Sequence, residues 1–122
     1  MTCVLFVDDD ALALQLMARI SAMLGFEALV STSAQHGLKL AAQARPALII
    51  VDMQMDEMSG VEFVRQVRGL PELAHLPVLL TSAGMSPNDA DLARQSGADG
   101  FLMKPIGIAG LQAAVEKYGG AA

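Results

Sequence analysis

Four short apolar runs, each closed by a polar residue, constrain this chain more than any other feature. Val4-Leu5-Phe6-Val7 runs into Asp8 and Asp9, and Leu48-Ile49-Ile50-Val51 into Asp52. Val78-Leu79-Leu80 runs into Thr81, and Phe101-Leu102-Met103 into Lys104, with Pro105 behind it. Short runs rich in Val, Ile and Leu read as strands of a parallel sheet buried on both faces. In an open α/β sheet, ligands bind just beyond the carboxyl ends of the strands. One sheet would therefore gather three carboxylates, a hydroxyl and an ammonium along one edge, a set suited to a divalent cation and a phosphoryl group.

The segments between these runs have helical character. Strands are expected at about 3–7, 27–31, 47–51, 77–81 and 100–103, and helices at about 10–24, 34–44, 59–69, 87–96 and 107–118, with boundaries good to about 2–4 residues. In the first helix Leu12, Leu16, Ile20, Met23 and Leu24 recur at helical spacing and are taken as its apolar face, with Gly25 as a stop. Asp10 caps that helix, Ser33 the second, Ser59 the third, and Ser86 the fourth, where Pro87 occupies the first turn. Gly97 ends the fourth helix. Alternating strands and helices imply parallel strands with right-handed crossovers. The expected fold is a doubly wound five-stranded α/β sheet of order 2-1-3-4-5, flavodoxin-like, in which strands 1 and 3 lie side by side and bring Asp8, Asp9 and Asp52 together.

Bulk properties narrow the function. The 122 residues make one domain, and a 53% hydrophobic content is enough to cover a sheet on both faces. No apolar run approaches the roughly 18–20 residues of a membrane span, and the first apolar stretch has no basic flank, so neither an anchor nor a signal peptide is expected. The single cysteine, Cys3, packs in the first strand and fits a reducing, cytoplasmic setting. A formal net charge of −5 argues against direct nucleic-acid binding. Gly119 to Ala122 read as a frayed end or as the stub of a longer chain.

Three carboxylates in one crevice repel each other, and a bound Mg²⁺ relieves the repulsion. With Lys104 as a second cation, one carboxylate becomes a nucleophile toward phosphorus, giving an aspartyl-phosphate. Taken alone, Thr81 would be an ordinary strand-end hydroxyl and Lys104 a solvated lysine; their weight comes from the constellation. Asp56 and Glu57 read as solvated loop acids, His36 and His75 as surface residues, and Met53, Met55 and Met58 as packing residues.

The stretches Val7-Asp8-Asp9, Asp52-Met53-Gln54-Met55 followed by Gly60, Thr81-Ser82-Ala83, and Gly97 through Pro105, in this order and at strand ends, resemble the response-regulator receiver domains of two-component signalling. The resemblance covers essentially the whole chain, residues 1–122. It implies that Asp52 is the phosphoacceptor, that Asp9 binds Mg²⁺ directly and Asp8 directly or through water, and that the backbone carbonyl of Gln54 is a further ligand. It implies that Lys104 pairs with the phosphoryl group, that Thr81 is the switch hydroxyl, that Phe101 is the switch aromatic, and that the Lys104–Pro105 peptide is cis. The implied partners are a sensor histidine kinase or histidine phosphotransfer protein upstream and an unknown downstream protein or covalently linked output domain. The domain would catalyse its own phosphorylation and slow dephosphorylation, with Gln54 and Ala83 flanking the site. Two positions depart from the family pattern: Asp56 stands where proline is common, and Ile106 where phenylalanine commonly follows the Lys-Pro pair. Two other readings compete, a receiver-like interaction module that is never phosphorylated and a small phosphohydrolase. The second generally needs an acid two residues after the nucleophile, where this chain has Gln54.

Overall fold

A computed structural model of the chain describes residues 2–84 and 87–119. In chain order it contains β1 (Cys3–Val7), α1 (Ala11–Leu24), β2 (Glu27–Ser31), α2 (Ala34–Ala44), β3 (Leu48–Asp52), α3 (Gly60–Gly69), β4 (Val78–Ser82), α4 (Asp89–Ser96), β5 (Gly100–Met103) and α5 (Ile108–Ala114). A π-helical stretch, Val115–Gly119, prolongs α5. The strands are parallel and lie in the order β2-β1-β3-β4-β5, as expected.

Strand alternation divides the core into two layers. Leu5, Val7, Ile49, Val51, Val78 and Leu80 face α2, α3 and α4, where they meet Ala41, Phe63, Val64, Val67 and Ala93. Val4, Phe6, Leu48, Ile50 and Leu79 face α1 and α5, where they meet Leu14, Met17, Ile20 and Leu111. The helix ends follow from local chemistry. The Asp10 carboxylate accepts the N–H groups of Leu12 and Ala13, and the hydroxyls of Ser33 and Ser59 accept those of His36 and Glu62. Gly25 and Gly97 close α1 and α4 with φ of 85° and 98°, a backbone region open to glycine. The cap expected at Ser86 lies outside the described residues, and α4 begins at Asp89 rather than Pro87. Gly119 is buried against Ala47 and Leu48 instead of fraying, and the three residues beyond it are outside the described set.

The face of α1 meets the expectation at Ile20 and at the partly buried Leu24 and differs from it elsewhere. Leu12, Leu16 and Met23 are 74%, 49% and 70% exposed, while Leu14, Met17, Ile20 and Ser21 are buried. The segment is apolar nearly all round, so its periodicity admits two stripes. The packing of α1 against the β1–β3 layer and α5 selects between them.

Arg68, in the last turn of α3, ties three segments together. Its guanidinium donates to the carbonyls of Gly97, Ala74 and Leu76 and to the Asp99 carboxylate at 2.8 Å. The same Asp99 oxygen accepts the N–H of Val78 at the start of β4. Arg68→Ala should therefore lower stability by roughly 2 kcal/mol, with only partial recovery in Arg68→Lys, as read by urea denaturation. A loss within a few tenths would mean that water replaces the strut.

Candidate functional site

The pairing of β1 with β3, with Val7 opposite Val51, sets the ends of both strands side by side. Asp8 and Asp52 are buried and Asp9 is exposed, and each offers a carboxylate oxygen within 4.8 Å of the other two. Lys104 reaches in from the end of β5, its Nζ 2.7 Å from Asp8 Oδ2 and 3.4 Å from Asp52 Oδ2. The Lys104–Pro105 peptide is cis. The second oxygen of Asp8 accepts the N–H of Asp10, and Asp52 accepts the N–H of Gln54.

Burial raises the pKa of the Asp52 carboxyl, and the neighbouring Asp8 charge raises it further. Lys104 and the Gln54 N–H pull the other way without cancelling the rise. Burial alone would lower the pKa of Lys104, but its bond to Asp8 and the charges of Asp8 and Asp52 more than offset that, so its ammonium form is favoured. Three carboxylates facing one ammonium leave an excess of negative charge, and every donor atom is a hard oxygen. That donor set fits a divalent cation such as Mg²⁺.

The loop after β3 is fastened at two points. Gly60, the first residue of α3, packs so tightly on the end of β3 that a Cβ there would lie 2.4 Å from the carbonyl oxygen of Asp52. Its N–H also donates to the carbonyl of Met53 at 2.9 Å. At the other point Asp56 donates its backbone N–H to Asp9 Oδ2 at 3.1 Å, a bond that proline in this position could not make. The side chain of Glu57 is not a free loop acid. Its Oε1 accepts the N–H groups of Ala34 and Gln35 and the hydroxyl of Ser33, capping α2 from a distance in sequence.

Two adjacent hydroxyls stand at the end of β4, and the strand turns them to opposite faces. Thr81 follows Leu79 toward α1 and α5. There it lines an apolar cavity of about 360 Å³ together with Phe6, Met17, Pro105 and Ile106, with Asp8 and Lys104 at its edge. Ser82 follows Leu80 toward α4, the face on which the half-buried Phe101 packs. The hydroxyl on the same side as the aromatic is thus Ser82, whereas the sequence reading named Thr81. The two-residue repeat, counted forward from Leu79 and Leu80, was the signal that separates them. Ser82 donates to the Asp89 carboxylate, and both residues are buried.

Among the described residues, no helix is long and apolar enough to cross a membrane. Comparison with known proteins agrees with the geometry. The chain is 30% identical over 115 residues to the polar-differentiation response regulator DivK of Brucella anthropi, covering 94% of each protein. Its fold matches the chemotaxis protein CheY4 of Vibrio cholerae with a TM-score of 0.89 and 30% identity, over 97% of this chain and 98% of that one. It also matches the receiver domain of the sensor histidine kinase PA1611 from Pseudomonas aeruginosa PAO1, solved with a magnesium ion coordinated in its active-site cleft, with a TM-score of 0.89 and 20% identity over 98% of each chain. The family model of the response regulator receiver domain matches residues 4–116, and with the acid-and-lysine edge of the sheet this establishes that the chain belongs to that family.

Proposed function

We propose that this domain accepts a phosphoryl group on Asp52 from a phosphohistidine of a sensor histidine kinase or a histidine phosphotransfer protein, and relays the change to a downstream protein or linked output domain. The observation that carries this reading is the convergence of Asp8, Asp9 and Asp52 within 4.8 Å beside an ammonium that touches two of them. Asp8, Asp9 and Asp52, with the Gln54 carbonyl, would hold Mg²⁺, which when bound supplies positive charge opposite the transferring oxygens. An Asp52 carboxylate oxygen forms the new bond to phosphorus as the phosphorus–nitrogen bond of the donor breaks, the electron pair returning to the imidazole. Lys104 holds its proton and places its charge next to the incoming group. Ser82, on the same face as Phe101, is the better placed of the two hydroxyls to move with that aromatic. Thr81 sits on the cavity side.

Phosphorylation replaces the carboxylate charge of Asp52 with a phosphoryl group carrying about −1.5 to −2 at neutral pH, held further out from the strand end. That charge biases the α4–β5–α5 surface, residues 87–118, where Leu92, Met103 and Ile108 are exposed. Gln54 and Ala83 flank Asp52 and would govern how readily water reaches the acyl phosphate during slow self-dephosphorylation. The test is incubation with Mg²⁺ and acetyl phosphate followed by intact mass. The expected result is a single phosphoryl adduct that requires Mg²⁺ and is absent in Asp52→Ala. A folded protein that forms neither the adduct nor a beryllofluoride complex would replace this reading with a docking module that performs no chemistry.

A further inference from the structure

We propose that Asp89 is a positioning residue that withholds the Ser82 hydroxyl from the phosphorylation site and couples that site to the start of α4; this rests on the phosphoacceptor reading above. A serine hydroxyl has one hydrogen to give. Here that hydrogen goes to Asp89 Oδ2, while the Ser82 Oγ itself accepts the N–H of Gly84 at 3.1 Å. Ser82 and Asp89 are 2% and 6% exposed, so water competes poorly for either group. For Ser82 to donate to a phosphoryl oxygen on Asp52, its bond to Asp89 must break. One proton donor thus serves two acceptors that exclude each other, one on the reacting edge of the sheet and one on α4.

The surroundings of Asp89 suit a contact that is made and released. The residues that α4 buries are Asp89, Ala93 and Ser96, so no large apolar side chain of this helix is sunk in the core. Ser96 is satisfied within its own helix, donating to Ala93. The Ser82–Asp89 bond is therefore a main polar tie between the start of α4 and β4. Once released, Asp89 remains in the first helical turn, where a carboxylate is favoured by the aligned peptide dipoles. Partners of Asp89 other than Ser82 would favour the phosphorylated state, and by reciprocity phosphorylation would free the α4 terminus for them.

The test uses the whole domain and a Mg²⁺–beryllofluoride titration followed by fluorine NMR, on wild type, Asp89→Ala, Asp89→Asn, Ser82→Ala and the Ser82→Ala/Asp89→Ala double variant. Asp89→Ala should bind beryllofluoride on the order of tenfold more tightly than wild type. Asp89→Asn, which keeps a neutral acceptor, should fall between them, and it carries the test if the alanine variant does not fold. Ser82→Ala should bind more weakly than wild type, and in its background the Asp89→Ala gain should vanish. A gain that persists without the Ser82 hydroxyl, or no gain at all, overturns the proposal while leaving the phosphoacceptor reading in place. A folded wild-type protein that binds no beryllofluoride overturns both.

Discussion

Replacing Gly60 with alanine is expected to cost roughly 3 kcal/mol of stability, an effect at the upper end of what one added methyl group does in a packed interior. The new Cβ would lie 2.4 Å from the Asp52 carbonyl oxygen, 2.7 Å from Leu80 Cδ2 and 2.8 Å from Met53 Cα. Two of those three atoms are backbone of the very segment that carries the phosphoacceptor, so the strain cannot be relieved by turning a side chain. Relief requires α3 to lift or β3 to shift, and either displaces Asp52 from Asp8 and Lys104. Gly69, at the far end of the same helix, has nothing within 4 Å of a built Cβ and is the control. Gly69→Ala should be neutral or slightly stabilising, because alanine is the better helix former. Urea denaturation of the two variants reads the contrast, and near-equal midpoints would show that the β3–α3 contact is soft.

The second large effect is an inversion of stability by metal. In metal-free buffer at neutral pH, Asp52→Asn should be more stable than wild type. The folded-state pKa of Asp52 is raised by burial and by Asp8, so the folded protein holds this proton more tightly than the unfolded chain does. Its contribution to stability is complete below the unfolded pKa and is lost as pH rises through the folded one. At neutral pH only the cost of burying the charge beside Asp8 remains, and the amide removes it, while Lys104 keeps Asp8 as a partner at 2.7 Å. Adding Mg²⁺ should reverse the order. At a free concentration a hundred times Kd the wild type gains about 2.7 kcal/mol, whereas the variant, with one anionic ligand fewer, gains much less. Thermal melts with and without Mg²⁺ read both arms. A variant that responds to Mg²⁺ as the wild type does would remove Asp52 from the ligand set.

The sheet and its acidic edge were legible because parallel strands are written as continuous apolar runs, and their last residues are the site. Asp8, Asp9, Asp52 and Lys104 could be located in this way without knowledge of any contact. Three features could not. The face of α1 was ambiguous because Ile20 can be extended as a stripe through Leu12, Leu16 and Met23 or through Leu14 and Met17, and only a partner layer distinguishes them. Thr81 and Ser82 are neighbours with the same functional group, so choosing between them needs strand parity rather than residue type. Glu57 and Asp99 act on segments more than twenty residues away, through bonds that leave no local pattern. Asp89 leaves no signal in the sequence for the same reason: its partner is on another element, and an acid in a first helical turn already has an ordinary explanation.

The capping of α2 by Glu57 also changes how the domain looks to an approaching molecule. A phosphorylated donor is itself an anion, and the chain carries a net charge of −5. Counted from the sequence, five acids crowd the mouth of the site, from Asp8 and Asp9 through Asp52 to Asp56 and Glu57. Glu57, however, spends its charge against the positive end of a helix, 2.7 Å from the Ala34 N–H. Asp9 is likewise partly offset by the Asp56 N–H. The repulsive field at the entrance is thus weaker than the acid count implies, and the remaining negative potential is concentrated on the carboxylates that a cation would neutralise. Loading a divalent cation would then do more than complete the site: it would cancel the excess negative charge of three carboxylates facing one ammonium, and with it the repulsion that opposes the donor's final approach.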